Sequence, residues 1–262
     1  FGNAGKTFSM SNQLTFSGSG ELDNGMNVSL SFIIDQGDGV TASTAPFDSH
    51  SVSVSSDTLG TLKLSGEGGS SATSALDGTA AGDVWDNFDG TGDITPTGIG
   101  TGNNMFMYTL PTLMDDLSVN ISYLPNTTGA DTAIGYSATF SGVDGLSVSY
   151  GTGDGTDDAT DATALKASYA YGPVTVAWSN YEYDEATAAN DNETTSFKIT
   201  YTVSDDLSVS YGAETIEEGT SEDVETASIK ASYTTGGMTI SLASEEIENS
   251  AGGTAETQDR ER

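Results

Sequence analysis

The sequence predicts an all-β protein whose antiparallel strands form a transmembrane β-barrel. Two-residue turns recur at intervals of 28 to 33 residues, from Asp115-Asp116 to Gly236-Gly237. The strands between these turns alternate apolar and small-polar side chains, and the connections alternate between short and long. A membrane barrel shows this alternation because one face meets lipid and the other meets water, and its turns are short at one end and long at the other.

The strands are predicted from hairpin signals taken in chain order. Two-residue links such as Asn24-Gly25 and Asp144-Gly145 are strong markers of tight hairpins. We treat residues 1–262 as a single domain. The fourteen predicted strands are Thr7–Ser19, Met26–Ile34, Ser51–Ser55, Thr61–Ser65, Phe106–Leu110, Leu117–Tyr123, Ile134–Phe140, Leu146–Tyr150, Leu165–Tyr171, Val174–Trp178, Phe197–Val203, Leu207–Ala213, Thr226–Tyr233 and Met238–Ser244.

Separating the residues of each strand by parity gives two different faces. One face is apolar and carries Tyr or Phe near one end, as in Leu207, Val209 and Tyr211. The other face is small and hydrophilic, as in Ser208 and Ser210. Aromatic residues near the end of an apolar face are typical of a membrane–water interface. The alternative is an acidic secreted β-rich surface protein of the S-layer or adhesin type, which would bury the apolar face between two sheets.

Composition excludes several classes of function. The net charge of −32 argues against nucleic acid and anionic lipid surfaces as partners and favours cations. The chain has no cysteine, so disulfides and thiolate metal sites are excluded. Its single histidine, His50, begins a strand, and the many Ser and Asp residues make any Ser/His/Asp grouping expected by chance. We therefore do not expect an enzyme, and no cofactor is required.

Acidic residues cluster in the long connections. Oxygen-rich loops suit hard cations such as Ca²⁺ or Mg²⁺, although a solvated loop has the same composition. The candidate metal ligands share one such loop and are Asp154, Asp157, Asp158 and Asp161.

The segment Glu67–Asn103 is much longer than the other connections, and a loop of this length is normally functional. In Phe8–Asp35, Ser51–Gly90 and Asn104–Tyr123, the chain resembles the general porins of Gram-negative outer membranes, closest to the alphaproteobacterial kind. The most specific match is Thr61–Asp77, a strand that leads into a Gly/Ser/Ala loop.

The resemblance implies a bacterial outer-membrane protein surrounded by lipid, which passes ions and small hydrophilic solutes. It also implies a homotrimer of 16-stranded barrels, whose third long loop folds into the pore. Fourteen strands are visible, so we expect the first and last strands to lie outside this sequence. The alternative is a barrel of fourteen strands, which is also an even number.

The lysines and the acids of the long segment are candidates for the pore lining. Lys63, Lys166, Lys198 and Lys230 all fall on the small-polar face of their strands. Facing lipid, a lysine would cost roughly 2–4 kcal/mol at the midplane, whereas facing water it costs little. We expect the acids of the segment to face these lysines across a constriction and the channel to prefer cations. These acids are Glu67, Asp77, Asp83, Asp86, Asp89 and Asp93.

Overall fold

The computed structural model describes residues 13–35, 47–88, 101–125, 132–155, 160–219, 222–250 and 257–261. These residues form one antiparallel sheet of fifteen strands that pair in chain order. The strands are β1 (Gln13–Glu21), β2 (Asn27–Asp35), β3 (Phe47–Ser56), β4 (Gly60–Glu67), β5 (Met105–Thr109), β6 (Leu117–Leu124), β7 (Ala133–Val143), β8 (Leu146–Asp154), β9 (Asp161–Tyr171), β10 (Val174–Asp184), β11 (Asn192–Ser204), β12 (Leu207–Glu218), β13 (Val224–Thr235), β14 (Met238–Glu248) and β15 (Thr257–Glu261).

The predicted strands are confirmed in type and order. Each of the fourteen overlaps one of β1 to β14, and the turns after β7, β9, β11 and β13 contain the two predicted residues. Gly145, between β7 and β8, has φ +75, a conformation that glycine adopts without strain. A fifteenth strand, β15, follows the predicted set and pairs with β14. The expectation that no strand after the fourteenth lies within this sequence is therefore wrong.

The register places the two kinds of side chain on opposite faces of the sheet. Ser17, Ser31 and Ser51 are cross-strand neighbours on β1, β2 and β3, and Lys166 lies opposite Ser149 on β8 and Ser179 on β10. We call this side of the sheet the polar face. The opposite side, the apolar face, leaves large side chains exposed, among them Ile229 at 62% and Leu242 at 64%. No second layer covers these side chains among the residues described here.

The buried apolar residues lie under the segment that follows β4 rather than between two sheets. Its described part contains two short 3-10 helices, Ser74–Leu76 and Val84–Asn87, where a single short helix over 70–76 is expected from the sequence. The larger apolar cluster joins Ala81, Val84, Trp85 and Phe88 of the segment to strand residues Ile216, Val224 and Ile247. Within the described ranges, no helix has the length and apolar character needed to cross a bilayer.

Candidate functional site: a segment seated on the polar face

Residues 72–88 cross the polar face from β6 to β14. Contacts with the sheet follow the order of the strands. Near its start, Ala72 donates its N–H to the Ser122 hydroxyl of β6, at 2.9 Å. Near its end, the Asn87 amide donates to Glu245 of β14, at 3.4 Å. We call residues 72–88 the seated segment, because their backbone and side chains are fixed to one strand after another.

The first half of the seated segment is held by a lysine and a tyrosine. Lys166 on β9 donates to the backbone carbonyl oxygens of Gly78 at 2.6 Å and Asp77 at 3.4 Å. Tyr181 on β10 donates its hydroxyl to the carbonyl oxygens of Leu76 at 2.7 Å and Gly78 at 2.8 Å. Leu76 also packs on Tyr181 and on Ala164 of β9. Backbone acceptors that would otherwise need water are therefore satisfied by the strands.

The second half contains a turn, residues 79–84, that closes on itself. Thr79 donates its N–H to the Asp83 carboxylate at 2.9 Å, and Asp83 donates its N–H to the Thr79 hydroxyl at 2.8 Å. Asp83 is in the left-handed region, with φ +50. This conformation is unfavourable for a residue with a Cβ, so contacts with the rest of the structure must hold it.

Glu214 on β12 holds both ends of this turn. Its carboxylate accepts a hydrogen bond from the Thr79 hydroxyl, and both of its oxygens accept from the Val84 N–H, at 3.1 and 3.2 Å. Glu214 is only 2% exposed. Because a buried carboxylate is costly unless it is hydrogen-bonded, the seated segment and Glu214 depend on each other.

An ion pair lies under the end of the seated segment. Lys230 on β13 approaches the carboxylate of Glu245 on β14 at 3.1 Å. The side chain of Glu245 is fully buried, while that of Lys230 keeps part of its surface in solvent. Lys230 thus balances the charge of an acid that also accepts a hydrogen bond from Asn87.

Small residues on the strands allow the seated segment to approach closely. A Cβ atom added at Gly212 on β12 would lie 2.8 Å from the Cβ of Ala81. The adjacent hydroxyls of Ser179 and Ser196 accept hydrogen bonds from the N–H groups of Ala80 and Ala81, each at 2.9 Å. Glycine leaves the space for the backbone, and serine supplies the acceptors, so both residue types are needed on this part of the polar face.

The four predicted lysines are all on the polar face, but they do not form one group. Lys166 and Lys230 contact the seated segment or the acid beneath it. Lys198 lies on β11 opposite Gly212. Lys63 is exposed on β4, opposite Ser53 and Met107. Three of the lysines therefore lie on the strands that carry the segment.

The acids of the long segment differ in their surroundings. Asp77 and Asp86 are exposed, and Asp83 is half-buried in the turn that it closes. Glu67 ends β4 beside His50. Asp89 and Asp93 lie outside the described residues. Exposed apolar residues in the long segment would form an adhesive patch, so the sequence predicts that they pack against the wall. This packing is confirmed for Leu76, Val84, Trp85 and Phe88, which are all buried.

The candidate metal ligands are only partly described. Asp154 and Asp161 are cross-strand neighbours at the ends of β8 and β9. Asp157 and Asp158 lie outside the described residues. Over the described part of the chain, no three His, Cys, Asp or Glu side chains are grouped so that they could hold a metal ion.

The strand residues that hold the seated segment were not predicted from the sequence. They are Glu214, Glu245 and Tyr181, together with the hydroxyls of Ser122, Ser179 and Ser196. Parity alone would have placed Glu214 and Glu245 on the polar face, where an acid stands out among Ser, Thr and Gly. That signal was available from the sequence.

The meandering antiparallel sheet is an architecture that this chain shares with solved structures. The sequence profile of the Gram-negative porins matches residues 1–259. The chain belongs to the Gram-negative porin family. Among curated proteins, none matches the sequence. Membership in this family places the porin in the bacterial outer membrane as a channel and decides against the secreted surface protein.

Solved structures show the same fold as this porin. One mutant of the Rh. blastica porin has a TM-score of 0.65 at 13% identity, over 95% of this chain and 87% of that chain. A second mutant of the same porin has the same TM-score and identity, over 99% and 92% of the two chains. OmpT, an outer membrane protein of Vibrio cholerae, has a TM-score of 0.64 at 12% identity, over 95% and 85%. In a porin barrel the apolar face meets lipid, and the polar face, which carries the seated segment here, meets the aqueous interior.

Proposed function

We propose that this porin is a passive, cation-preferring diffusion channel for ions and small hydrophilic solutes, narrowed by the segment 67–103. The observation that carries the proposal is the position of residues 72–88 across the polar face from β6 to β14. A chain segment on the inner wall of a barrel occupies part of the water-filled cross-section. Its exposed carboxylates, Asp77 and Asp86, then border the remaining passage.

The walls of the channel support passage rather than catalysis. The polar face is lined mainly by hydroxyl groups, which exchange hydrogen bonds with water and with hydrophilic solutes. Among the described residues, the buried acids Glu214 and Glu245 are engaged by the seated segment and by Lys230. We therefore propose that the protein is not an enzyme.

Planar-bilayer recordings test both the channel and its selectivity. The refolded porin should give steady, ohmic steps, and reversal potentials across a salt gradient should favour cations. With a net charge of −32, cations are concentrated at the channel mouth. The preference should weaken as salt rises, because the Debye length falls from about 30 Å at 0.01 M to about 3 Å at 1 M. Complete absence of conductance would overturn the channel, and an anion preference would mean that the lysines dominate the passage.

We also propose that the porin forms a homotrimer whose acidic loops bind Ca²⁺ or Mg²⁺. Asp154 and Asp161 face each other directly across β8 and β9, and like charges in this arrangement repel. A divalent ion would relieve that repulsion with oxygen ligands, and binding to the folded state alone would stabilise it. Chelation should therefore lower the temperature at which the trimer dissociates on a denaturing gel. The double variant Asp154→Asn, Asp161→Asn should respond less to chelator, whereas an equal response would remove these two acids from the proposal.

A further inference from the structure

The turn at residues 79–84 depends on a single strand side chain more than any other described part of the seated segment. Thr79 and Val84 are its two ends, and both donate hydrogen bonds to the carboxylate of Glu214. Within the turn, Gly82 and Asp83 both have positive φ, at +92 and +50. The turn therefore has an unfavourable backbone conformation at its centre and one external acceptor for both of its ends.

We infer that Glu214 is a positioning residue that sets the open cross-section of the channel by holding this turn against the wall. The inference deepens the proposed channel function and rests on it. Other contacts hold the segment on either side, at Lys166 before the turn and at Asn87 after it. Within the turn, only the N–H groups of Ala80 and Ala81 are held by strand hydroxyls. Releasing Glu214 should therefore free both ends of the turn and let it move, while the rest of the segment stays attached.

The chemistry of the contact explains why a carboxylate is required at this position. The Thr79 hydroxyl accepts hydrogen bonds from the N–H groups of Gly82 and Asp83, so its own hydrogen must be donated elsewhere. The Val84 N–H, at the start of a 3-10 helix, also has no acceptor within that helix. A carboxylate has two acceptor oxygens and no donor, so it satisfies both groups at once. An amide at the same position could keep an oxygen for the Thr79 hydroxyl, but its NH₂ group would then face the Val84 N–H, a donor against a donor.

The first part of the test compares two variants that each remove one negative charge. Glu214→Ala removes both acceptor oxygens, and Glu217→Gln changes an exposed acid on the same strand. Hydrogen bonds to charged groups are strong enough that the turn should be detached on the order of 10- to 100-fold more often in Glu214→Ala. We expect frequent excursions to higher conductance in single-channel recordings of Glu214→Ala. Glu217→Gln should behave like the wild type. If Glu214→Ala does not fold, Glu214→Gln provides the same comparison with nearly the same side-chain volume.

An engineered disulfide, here called a staple, distinguishes the loss of the turn's position from a general loss of structure. The chain contains no cysteine, so a pair introduced at Ala81→Cys and Gly212→Cys is unambiguous. Added Cβ atoms at these positions are 2.8 Å apart, and a disulfide needs about 3.5–4.5 Å, so an outward shift of roughly 1 Å is sufficient. As a matched control, Ala72→Cys with Gly135→Cys places Cβ atoms 3.7 Å apart at the other end of the seated segment. The Ser122 hydroxyl, 2.7 Å from the added Cβ, must rotate away to make room.

In Glu214→Ala, the oxidised 81–212 staple should restore the steady wild-type conductance, and its reduction should bring the excursions back. The oxidised 72–135 staple should leave the excursions unchanged, because it fixes a part of the segment that Glu214 does not hold. The inference is overturned if Glu214→Ala conducts like the wild type. It is also overturned if the oxidised 81–212 staple does not remove the excursions to higher conductance. A wild-type protein without conductance would instead refute the proposed function, so the two failures are distinguishable.

Discussion

Replacing Asp77–Phe88 with a short glycine-serine linker is expected to raise the single-channel conductance and to admit larger sugars in a vesicle-swelling assay. The physical reason is that these residues lie across the polar face, where they occupy space that water would otherwise fill. We expect this change to be the largest functional effect of any variant considered for this porin. The replacement exposes Ile216, Val224 and Ile247, so its folding must first be verified by heat-modifiability on a denaturing gel.

A charge-only variant is the matched control for this replacement. Asp77→Asn, Asp83→Asn and Asp86→Asn together remove three carboxylates while the apolar contacts of Val84, Trp85 and Phe88 remain. This triple variant should reduce the cation preference and leave the size limit for sugars unchanged. If the linker variant keeps the wild-type conductance and size limit, the segment does not narrow the passage. If the triple variant changes the size limit as much as the linker does, its acids act through structure rather than charge.

The strands could be predicted because the alternation of apolar and polar side chains is a local property of the sequence. Val209 and Tyr211 alternate with Ser208 and Ser210, and each such run needs only its own residues to identify it. The exception is β15, Thr257–Glu261, whose sequence TQDRE has no alternating apolar residue. Its strand conformation comes from pairing with β14, which is a tertiary effect that the local pattern does not contain.

The site was less predictable because its contacts join residues far apart in the chain. The burial of Trp85 and Phe88 could be predicted, because large apolar side chains left exposed would form an adhesive patch. This prediction is confirmed. The partner of Thr79, however, is 135 residues away. Parity can place Glu214 on the polar face, but only the register of many intervening strands decides which part of the segment it meets. For the same reason, the sequence did not indicate that Lys166 binds the backbone of the seated segment.

The two faces of the sheet predict opposite responses to a lysine at adjacent positions of β12. Val209 lies on the exposed apolar face, opposite Tyr201 and Ala231. Ser208 lies on the polar face, opposite Thr202 and Ser232. Val209→Lys should lower the free energy of unfolding in lipid vesicles by up to roughly 2–4 kcal/mol, because an ammonium that faces lipid loses its hydration. Ser208→Lys should change it very little, because its side chain meets water.

Urea titrations of the porin in vesicles, followed by tryptophan fluorescence, measure this difference directly. The two variants carry the same added charge at neighbouring positions of one strand, so effects of net charge and of strand propensity nearly cancel between them. Equal destabilisation of both variants would contradict the assignment of the apolar face to lipid. The interpretation of the strand alternation, of the lysine positions and of the seated segment all depends on that assignment. The comparison therefore tests the physical basis of the channel as well as its stability.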